Sequence, residues 1–200
     1  MIDQGHKAYS AVLLAAGSGS RMAAACNKIF LTLADKAIFQ YGLELFLSDS
    51  DCKQVILVGK AEEKSYFTDY LSDRVCFVVG GVERQDSVRH ALKEVSEDAV
   101  MIHDGARPFV TLSELAALKA YNNAILAVPV KDTIKQVNHQ EQISQTVPRE
   151  NLWGAQTPQF FETSLIQKVH QDAHSKAFLG TDDASLVEVF SDKPITIVPG

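Results

Sequence analysis

The sequence predicts an α/β protein built on an open, mostly parallel β-sheet that is sandwiched by helices. Short apolar runs alternate along the chain with helix-length stretches, some of which carry apolar residues at helical spacing. Glycine-rich or polar segments follow several of these runs, at the places where such sheets hold their ligands. With 200 residues, of which 46% are hydrophobic, the chain is long enough to bury one core, so we expect a single domain over residues 1–200.

Strands are predicted over the apolar runs at 9–16, 54–59, 74–79, 99–102 and 124–130. The first run is closed by a glycine turn and is almost continuously apolar, which indicates a strand buried on both faces. Helices are predicted between these strands, most clearly over 83–95 and 111–121.

The alternation of strand and helix stops after residue 130. Residues 131–137 and 142–147 are extended, partly alternating segments around the polar turn at 138–141, which predicts a β-hairpin. Because an isolated hairpin is only marginally stable in water, we expect this one to pack on another surface, such as a second subunit.

Charge and cysteine content narrow the classes of partner. The formal net charge of −6 gives no general attraction to nucleic acid or to acidic membranes, so we expect neither as a partner. Cys26, Cys52 and Cys76 are odd in number and lack zinc-ligand spacing, which fits a reducing compartment. We expect a cytoplasmic protein, since no signal peptide or membrane span is evident in the sequence.

The loop after the first predicted strand is a candidate phosphate-binding loop. Gly17 and Gly19 expose backbone N–H groups that can cradle phosphate oxygens, and Arg21 and Lys28 supply charge to neutralise a triphosphate. Met22 stands where a dinucleotide fingerprint has its third glycine, and no Gly-Lys-Ser/Thr closes a P-loop. An ordinary strand-to-helix turn is the alternative explanation.

Two further loops follow predicted strands. Gly81 permits close approach to a flat base, and Ser87 can hydrogen-bond a base or sugar edge; a plain glycine turn before a helix is the alternative. Asp104 follows the strand at 99–102, where a carboxylate is well placed to hold Mg²⁺. The alternative is a surface ion pair between Asp104 and Arg107. We expect His103 to be packed or hydrogen-bonded, because no nucleophile motif accompanies it.

Two motifs nearer the carboxyl terminus have structural explanations. Thr181 is predicted to cap a helix that begins in the segment TDDAS. The segment at 153–161 is predicted to be an aromatic-rich turn that packs against the core.

Taken together and in order, these segments resemble the 2-C-methyl-D-erythritol 4-phosphate cytidylyltransferase family of the non-mevalonate isoprenoid pathway. The resemblance runs from about Ser10 to Gly200, and it is carried by AAGSGSRM, the lysine six residues after Met22, GGVERQDSV, HDGARPF, PVKDT, VPRENLWGAQTPQFF and TDDAS. It implies a Rossmann-like fold of the nucleotide-diphospho-sugar transferase type. It also implies that CTP and methylerythritol phosphate are joined to give CDP-methylerythritol and pyrophosphate, with Mg²⁺ or another divalent cation.

The resemblance also assigns roles by matching position. Catalytic roles fall on Arg21, Lys28 and Arg149. CTP would be bound by Ala15, Ala16, Gly17, Gly19, Gly81, Ser87, Asp104 and Gly105, with Asp104 also meeting the metal ion. The acceptor phosphate site would contain Arg107, Thr133 and Thr181. Thr133 and Arg149 would come from the partner's hairpin arm, at about 131–150, in a homodimer joined through that arm.

Two features depart from the family pattern. The family usually reads Pro-Lys-Gln around the catalytic lysine, whereas this chain reads Asn27-Lys28-Ile29, which predicts a looser loop. Family members also continue past the position of Gly200 into a segment with another phosphate-binding lysine and a final helix, so we expect that segment to be absent here. A ribitol phosphate cytidylyltransferase and a non-catalytic nucleotide-binding dimer stay open as alternatives.

Overall fold

The computed structural model describes residues 7–17 and 27–200 of the chain. Its strands are β1 (Tyr9–Leu14), β2 (Thr32–Leu33), β3 (Lys36–Ala37), β4 (Cys52–Gly59), β5 (Val75–Val79), β6 (Ala99–Asp104), β7 (Ala124–Pro129), β8 (Ile134–Val137), β9 (Ile143–Val147), β10 (Trp153–Glu162) and β11 (Thr196–Pro199). Its α-helices are α1 (Ile38–Ser48), α2 (Lys64–Phe67), α3 (Arg84–Ala91), α4 (Leu112–Lys119), α5 (Thr163–Ser175) and α6 (Asp183–Phe190).

Seven strands form the central sheet, in the order β11-β7-β10-β6-β1-β4-β5. β1 pairs in parallel with β4 and β6, β4 pairs in parallel with β5, and β7 pairs in parallel with β11. β10 runs antiparallel to both of its neighbours, β6 and β7. The predicted open, mostly parallel sheet is therefore confirmed.

Helices cover both faces of the sheet, as the alternation of elements predicted. Leu13 of β1 packs into one core cluster with residues of α1 and α4, whereas Val12 packs into the other with residues of α3, α5 and α6. This division follows from strand geometry, because successive side chains point to opposite faces. Every residue of β1 is buried, in agreement with the prediction of a strand covered on both sides.

The prediction of a turn at 153–161 was wrong, because this segment is most of strand β10. Phe160 and Phe161 are both fully buried and enter opposite core clusters, so the predicted core packing holds although the backbone is extended. The strand lies between β6 and β7, and its small and polar residues gave no apolar alternation by which the sequence could indicate it.

The predicted hairpin is present as the antiparallel pair β8–β9, which forms a two-stranded sheet of its own. Its turn closes through hydrogen bonds from the Asn138 N–H to the Gln142 carbonyl and from the Glu141 N–H to the Asn138 carbonyl. Val137 and Ile143 are 51% and 66% exposed. The packing of this hairpin on another surface, such as a second subunit, stays a prediction. Within residues 7–17 and 27–200, every helix is too short or too polar to span a bilayer.

Candidate active site

The loops that follow β1, β5 and β6 meet at the carboxyl edge of the sheet. The Gly105 N–H donates to the Leu14 carbonyl at 2.8 Å, which ties the end of β6 to the end of β1. A Cβ atom on Gly80 would lie 2.8 Å from the Cβ of Ala16, so a glycine is needed for the loop after β5 to approach the loop after β1. The predicted residues Ala15, Ala16, Gly81 and Gly105 thus lie together. Gly17 is exposed beside them, whereas Gly19 and Arg21 lie outside the described residues.

Ser87 shapes the loop after β5. Its side chain is 3% exposed, and its hydroxyl accepts from the Gly81 N–H at 3.0 Å and donates to the Glu83 carbonyl at 3.2 Å. A hydroxyl oxygen has two lone pairs, so the second one is the group that Ser87 has left for a ligand. An N–H donor, such as the amino group of cytosine, is the chemistry that fits it.

Asp104 is held between two arginines. Its Oδ1 accepts from Arg84 Nε at 3.2 Å and its Oδ2 accepts from Arg107 Nε at 3.5 Å. The ion pair with Arg107 that the sequence suggested is therefore formed. Sequence reasoning missed Arg84, although a cation in the first turn of a helix after a glycine loop was a usable signal.

The buried carboxylate of Asp183 also binds Arg84 and holds it in place. Arg84 Nη1 donates to Asp183 Oδ2 at 2.7 Å, and Asp183, which is 1% exposed, also lies 3.0 Å from His170 Nε2. Burial disfavours the charge on Arg84, but Asp183 and Asp104 outweigh it and hold the pKa of the guanidinium above its ordinary value. The same pairing keeps the pKa of Asp183 below its ordinary value, against the effect of its burial.

A chain of hydrogen bonds positions the backbone of Asp104. The Asp104 N–H donates to Thr157 Oγ1 at 3.1 Å, Thr157 Oγ1 lies 3.0 Å from His103 Nδ1, and His103 Nε2 lies 3.0 Å from the Arg107 carbonyl. Burial lowers the pKa of His103 to about 4, so its ring is neutral. We assign the ring proton to Nε2, which faces a carbonyl, so that the Thr157 hydroxyl donates to Nδ1. His103 is hydrogen-bonded and packed, as predicted.

A cavity of about 640 Å³ opens beside this network. Asp104, Arg107 and Thr181, which the sequence placed in adjoining sites, all line it together with Arg84. Thr133 and Arg149 are not among its lining residues and lie exposed next to the hairpin, where Arg149 donates to the Lys131 carbonyl. Within one chain, the structure therefore brings together only part of the predicted acceptor site.

The cap of α6 differs from the prediction. Asp182, not Thr181, is the N-cap residue, and its Oδ1 accepts from the Ser185 N–H at 2.9 Å. A carboxylate is as good a cap as a hydroxyl, so the sequence did not separate the two neighbours. Thr181 is left exposed at the cavity wall.

Asn27 stands directly before Lys28, and the looser loop that the missing proline predicted stays a prediction. Asn27 has a φ of −63°, which is within the range that proline imposes, and its side chain caps the short 3₁₀ helix Lys28–Phe30. Ile29 is 3% exposed in the core, and the half-buried Lys28 stands between these two anchored neighbours.

Asp104 fits a divalent cation that brings most of its own ligands. Among residues 7–17 and 27–200, no cluster of three or more His, Cys, Asp or Glu side chains is arranged to hold a metal ion. Each Asp104 oxygen already accepts from an arginine, which leaves a further lone pair on each. One carboxylate suits Mg²⁺ when phosphate oxygens and water complete its octahedron.

Comparison with known proteins identifies the family. The family profile described as "IspD: 2-C-methyl-D-erythritol 4-phosphate cytidylyltransferase" matches residues 9–200. The 2-C-methyl-D-erythritol 4-phosphate cytidylyltransferase of Halalkalibacterium halodurans is 46% identical over 190 residues, which are 90% of this chain and 83% of that protein.

Solved structures agree with this assignment. The 4-diphosphocytidyl-2C-methyl-D-erythritol synthase from Anaerococcus prevotii matches with a TM-score of 0.84 at 28% identity, over 100% of this chain and 88% of that one. The 2-C-methyl-D-erythritol 4-phosphate cytidylyltransferase from Thermus thermophilus matches with a TM-score of 0.78 at 29% identity, over 96% of this chain and 89% of that one. The chain therefore belongs to the 2-C-methyl-D-erythritol 4-phosphate cytidylyltransferase family.

Proposed function

We propose that this protein transfers CMP from CTP to 2-C-methyl-D-erythritol 4-phosphate, giving CDP-methylerythritol and pyrophosphate for isoprenoid precursor synthesis. The observation that carries the proposal is a cavity at the carboxyl edge of the sheet that Asp104, Arg84, Arg107 and Thr181 line together. Family membership supplies the reaction, and the presence of Asp104, Arg107 and Thr181 in this one cavity supports the proposal.

Electrostatics is the main task of the site. The acceptor is a phosphate monoester, which is mostly dianionic at pH 7, so its attacking oxygen needs no general base. The barrier lies in bringing this dianion to the α-phosphate of a triphosphate. Lys28 and Arg21 are proposed to stabilise the charge that builds on the α-phosphate and the departing pyrophosphate. Arg149 is proposed to orient the acceptor phosphate for in-line attack, in a site that Arg107 lines.

The nucleotide contacts follow from the loop chemistry. The backbone of Ala15, Ala16 and Gly81 is proposed to frame the cytosine, with Ser87 accepting from its amino group. Asp104 would hold Mg²⁺, which when bound supplies positive charge next to the triphosphate. The charges of Asp104 and Asp183 are already balanced by Arg84 and Arg107, so the cation would enter with the nucleotide.

A homodimer is proposed to complete the acceptor site. Thr133 and Arg149 lie outside the cavity of their own chain, and the hairpin between them exposes Val137 and Ile143. Covering these apolar side chains would stabilise a dimer and would bring the partner's arm to the acceptor phosphate. We further propose a cytoplasmic location, which the free thiols of Cys52 and Cys76 favour.

Pyrophosphate release tests the proposal directly. Purified protein with CTP and Mg²⁺ would be compared with methylerythritol phosphate, with ribitol phosphate and with no acceptor. Release with methylerythritol phosphate alone is the expected result. Release only with ribitol phosphate would support cytidylyl transfer but refute methylerythritol phosphate as the acceptor. No release with any acceptor would favour a non-catalytic nucleotide-binding dimer. A protein incubated with CTP and Mg²⁺ but without an acceptor gives the background rate, and Lys28→Ala is measured beside the wild type, with a lower but measurable rate expected.

A further inference from the structure

The carboxamide of Asn27 is buried and has a partner for each of its polar atoms. The side chain is 7% exposed, and its Nδ2 donates to the Ala15 carbonyl at 2.8 Å and to both carboxylate oxygens of Glu63 at 3.3 Å. Its Oδ1 accepts from the Ile29 N–H at 3.5 Å. These hydrogen bonds fix the orientation of the buried amide, because any rotation would leave a donor or an acceptor without a partner.

These contacts join the ends of two parallel strands to the turn that carries Lys28. Ala15 directly follows β1, and its own N–H donates to the Val58 carbonyl of β4 at 2.7 Å. Glu63 lies just beyond β4, where its Oε2 also accepts from the Lys60 N–H at 3.4 Å. Asn27 therefore connects the loops after β1 and β4 at one point, immediately before Lys28 in the chain.

We propose that Asn27, supported by Glu63, is a positioning residue that fixes the location of the Lys28 ammonium relative to the loop after β1. The inference rests on the proposed function, in which Lys28 stabilises charge in the transition state. A lysine has a long and flexible side chain, so its placement depends on a firmly held backbone. The hydrogen bonds of Asn27 hold the backbone on one side of Lys28, and the buried side chain of Ile29 holds it on the other.

The test uses Asn27→Asp, which replaces the Nδ2 donor group with a second carboxylate oxygen and adds one negative charge. Aspartate is as good a helix cap as asparagine, so the bond to the Ile29 N–H survives. The new carboxylate would face the Ala15 carbonyl and the Glu63 carboxylate, so the two attractive contacts that Nδ2 makes in the wild type would become repulsive. Since a misplacement of about 1 Å can cost on the order of 100-fold in rate, we expect kcat to fall at least about tenfold, with KM for CTP changed less than about threefold.

Lys28→Ala provides the background that separates positioning from general structure. If Asn27 acts through Lys28, Asn27→Asp causes no further loss of kcat in the Lys28→Ala protein. The same fold loss in both backgrounds, or a kcat for Asn27→Asp within about twofold of the wild type, would overturn the proposal. Asn27→Asp/Glu63→Gln should recover part of the loss, because the glutamine amide can donate to the new carboxylate. Glu63→Ala is the substitute if Asn27→Asp does not fold. It removes the contacts of Glu63 with Asn27 and with the Lys60 N–H but keeps the bond from Asn27 to the Ala15 carbonyl, so a smaller loss of kcat is expected.

Hydrogen exchange gives a readout that does not depend on activity. The Phe30 N–H donates to the Asn27 carbonyl at 3.0 Å and the Leu31 N–H donates to the Lys28 carbonyl at 3.1 Å. We expect Asn27→Asp to speed exchange of these two amides at least about tenfold while exchange in β4 is unchanged. Unchanged exchange at Phe30 and Leu31 would overturn the anchor. A wild-type protein that releases no pyrophosphate would refute the proposed function, whereas the exchange result would still decide the anchoring.

Discussion

Replacing Thr157 with valine removes one hydroxyl from the centre of the site's buried hydrogen-bond chain. The side chain is 6% exposed, and its Oγ1 is the partner of both the Asp104 N–H and His103 Nδ1. Valine keeps nearly the same shape, so the cost comes from the two buried polar groups that lose their partner. Each unsatisfied buried group costs about 1–3 kcal/mol, so we expect Thr157→Val to lower the free energy of unfolding by about 3 kcal/mol.

Thr157→Ser is the matched control, because it keeps the hydroxyl and removes only a methyl group. Loss of that methyl group should cost about 0.8 kcal/mol. Equilibrium unfolding in urea at pH 7.5, with the three proteins measured side by side, gives the comparison. The reasoning is refuted if Thr157→Val is no less stable than Thr157→Ser, because the hydroxyl would then have no energetic role at this position.

Three further predictions follow from the buried charges and from Lys28. Because burial lowers the pKa of His103 to about 4 and the unfolded chain titrates near 6.5, the unfolded state binds more protons between these values; stability should fall by up to about 3 kcal/mol as pH drops from 6.5 to 4. An NMR titration of the His103 ring checks this, and a midpoint near 6.5 would contradict it. Asp183→Asn should lower the free energy of unfolding by about 3 kcal/mol, because Arg84 loses a buried charged partner at 2.7 Å. Asp86→Asn, which removes the charge of a more exposed ion pair, should cost less than about 1 kcal/mol in the same urea assay. Equal effects of the two substitutions would contradict the role given to burial. Lys28→Ala should lower kcat for pyrophosphate release at least about 100-fold while the free energy of unfolding changes by less than about 1 kcal/mol, and near-normal turnover would rule out its proposed role.

Local patterns were sufficient for the elements that are apolar throughout or regularly periodic. The predicted strands at 54–59 and 74–79 correspond to β4 and β5, and the hairpin at 131–147 corresponds to β8 and β9. No comparable signal marks β10, in which glycine, alanine and glutamine precede two phenylalanines, because its extended form depends on pairing with β6 and β7. The bounds of helices were overestimated, and α3 ends at Ala91 although apolar residues continue to 95.

By itself, the sequence determined the fold class and the family, because these depend on residue order and on short motifs. Only the tertiary structure decided which side chains act together. Arg84 and Asp183 are 99 residues apart in the chain and 2.7 Å apart in space, and Thr157 reaches His103 across neighbouring strands. Such pairs are set by how helices and strands pack, and spacing along the chain carries no information about a contact that forms only when two distant segments are buried together.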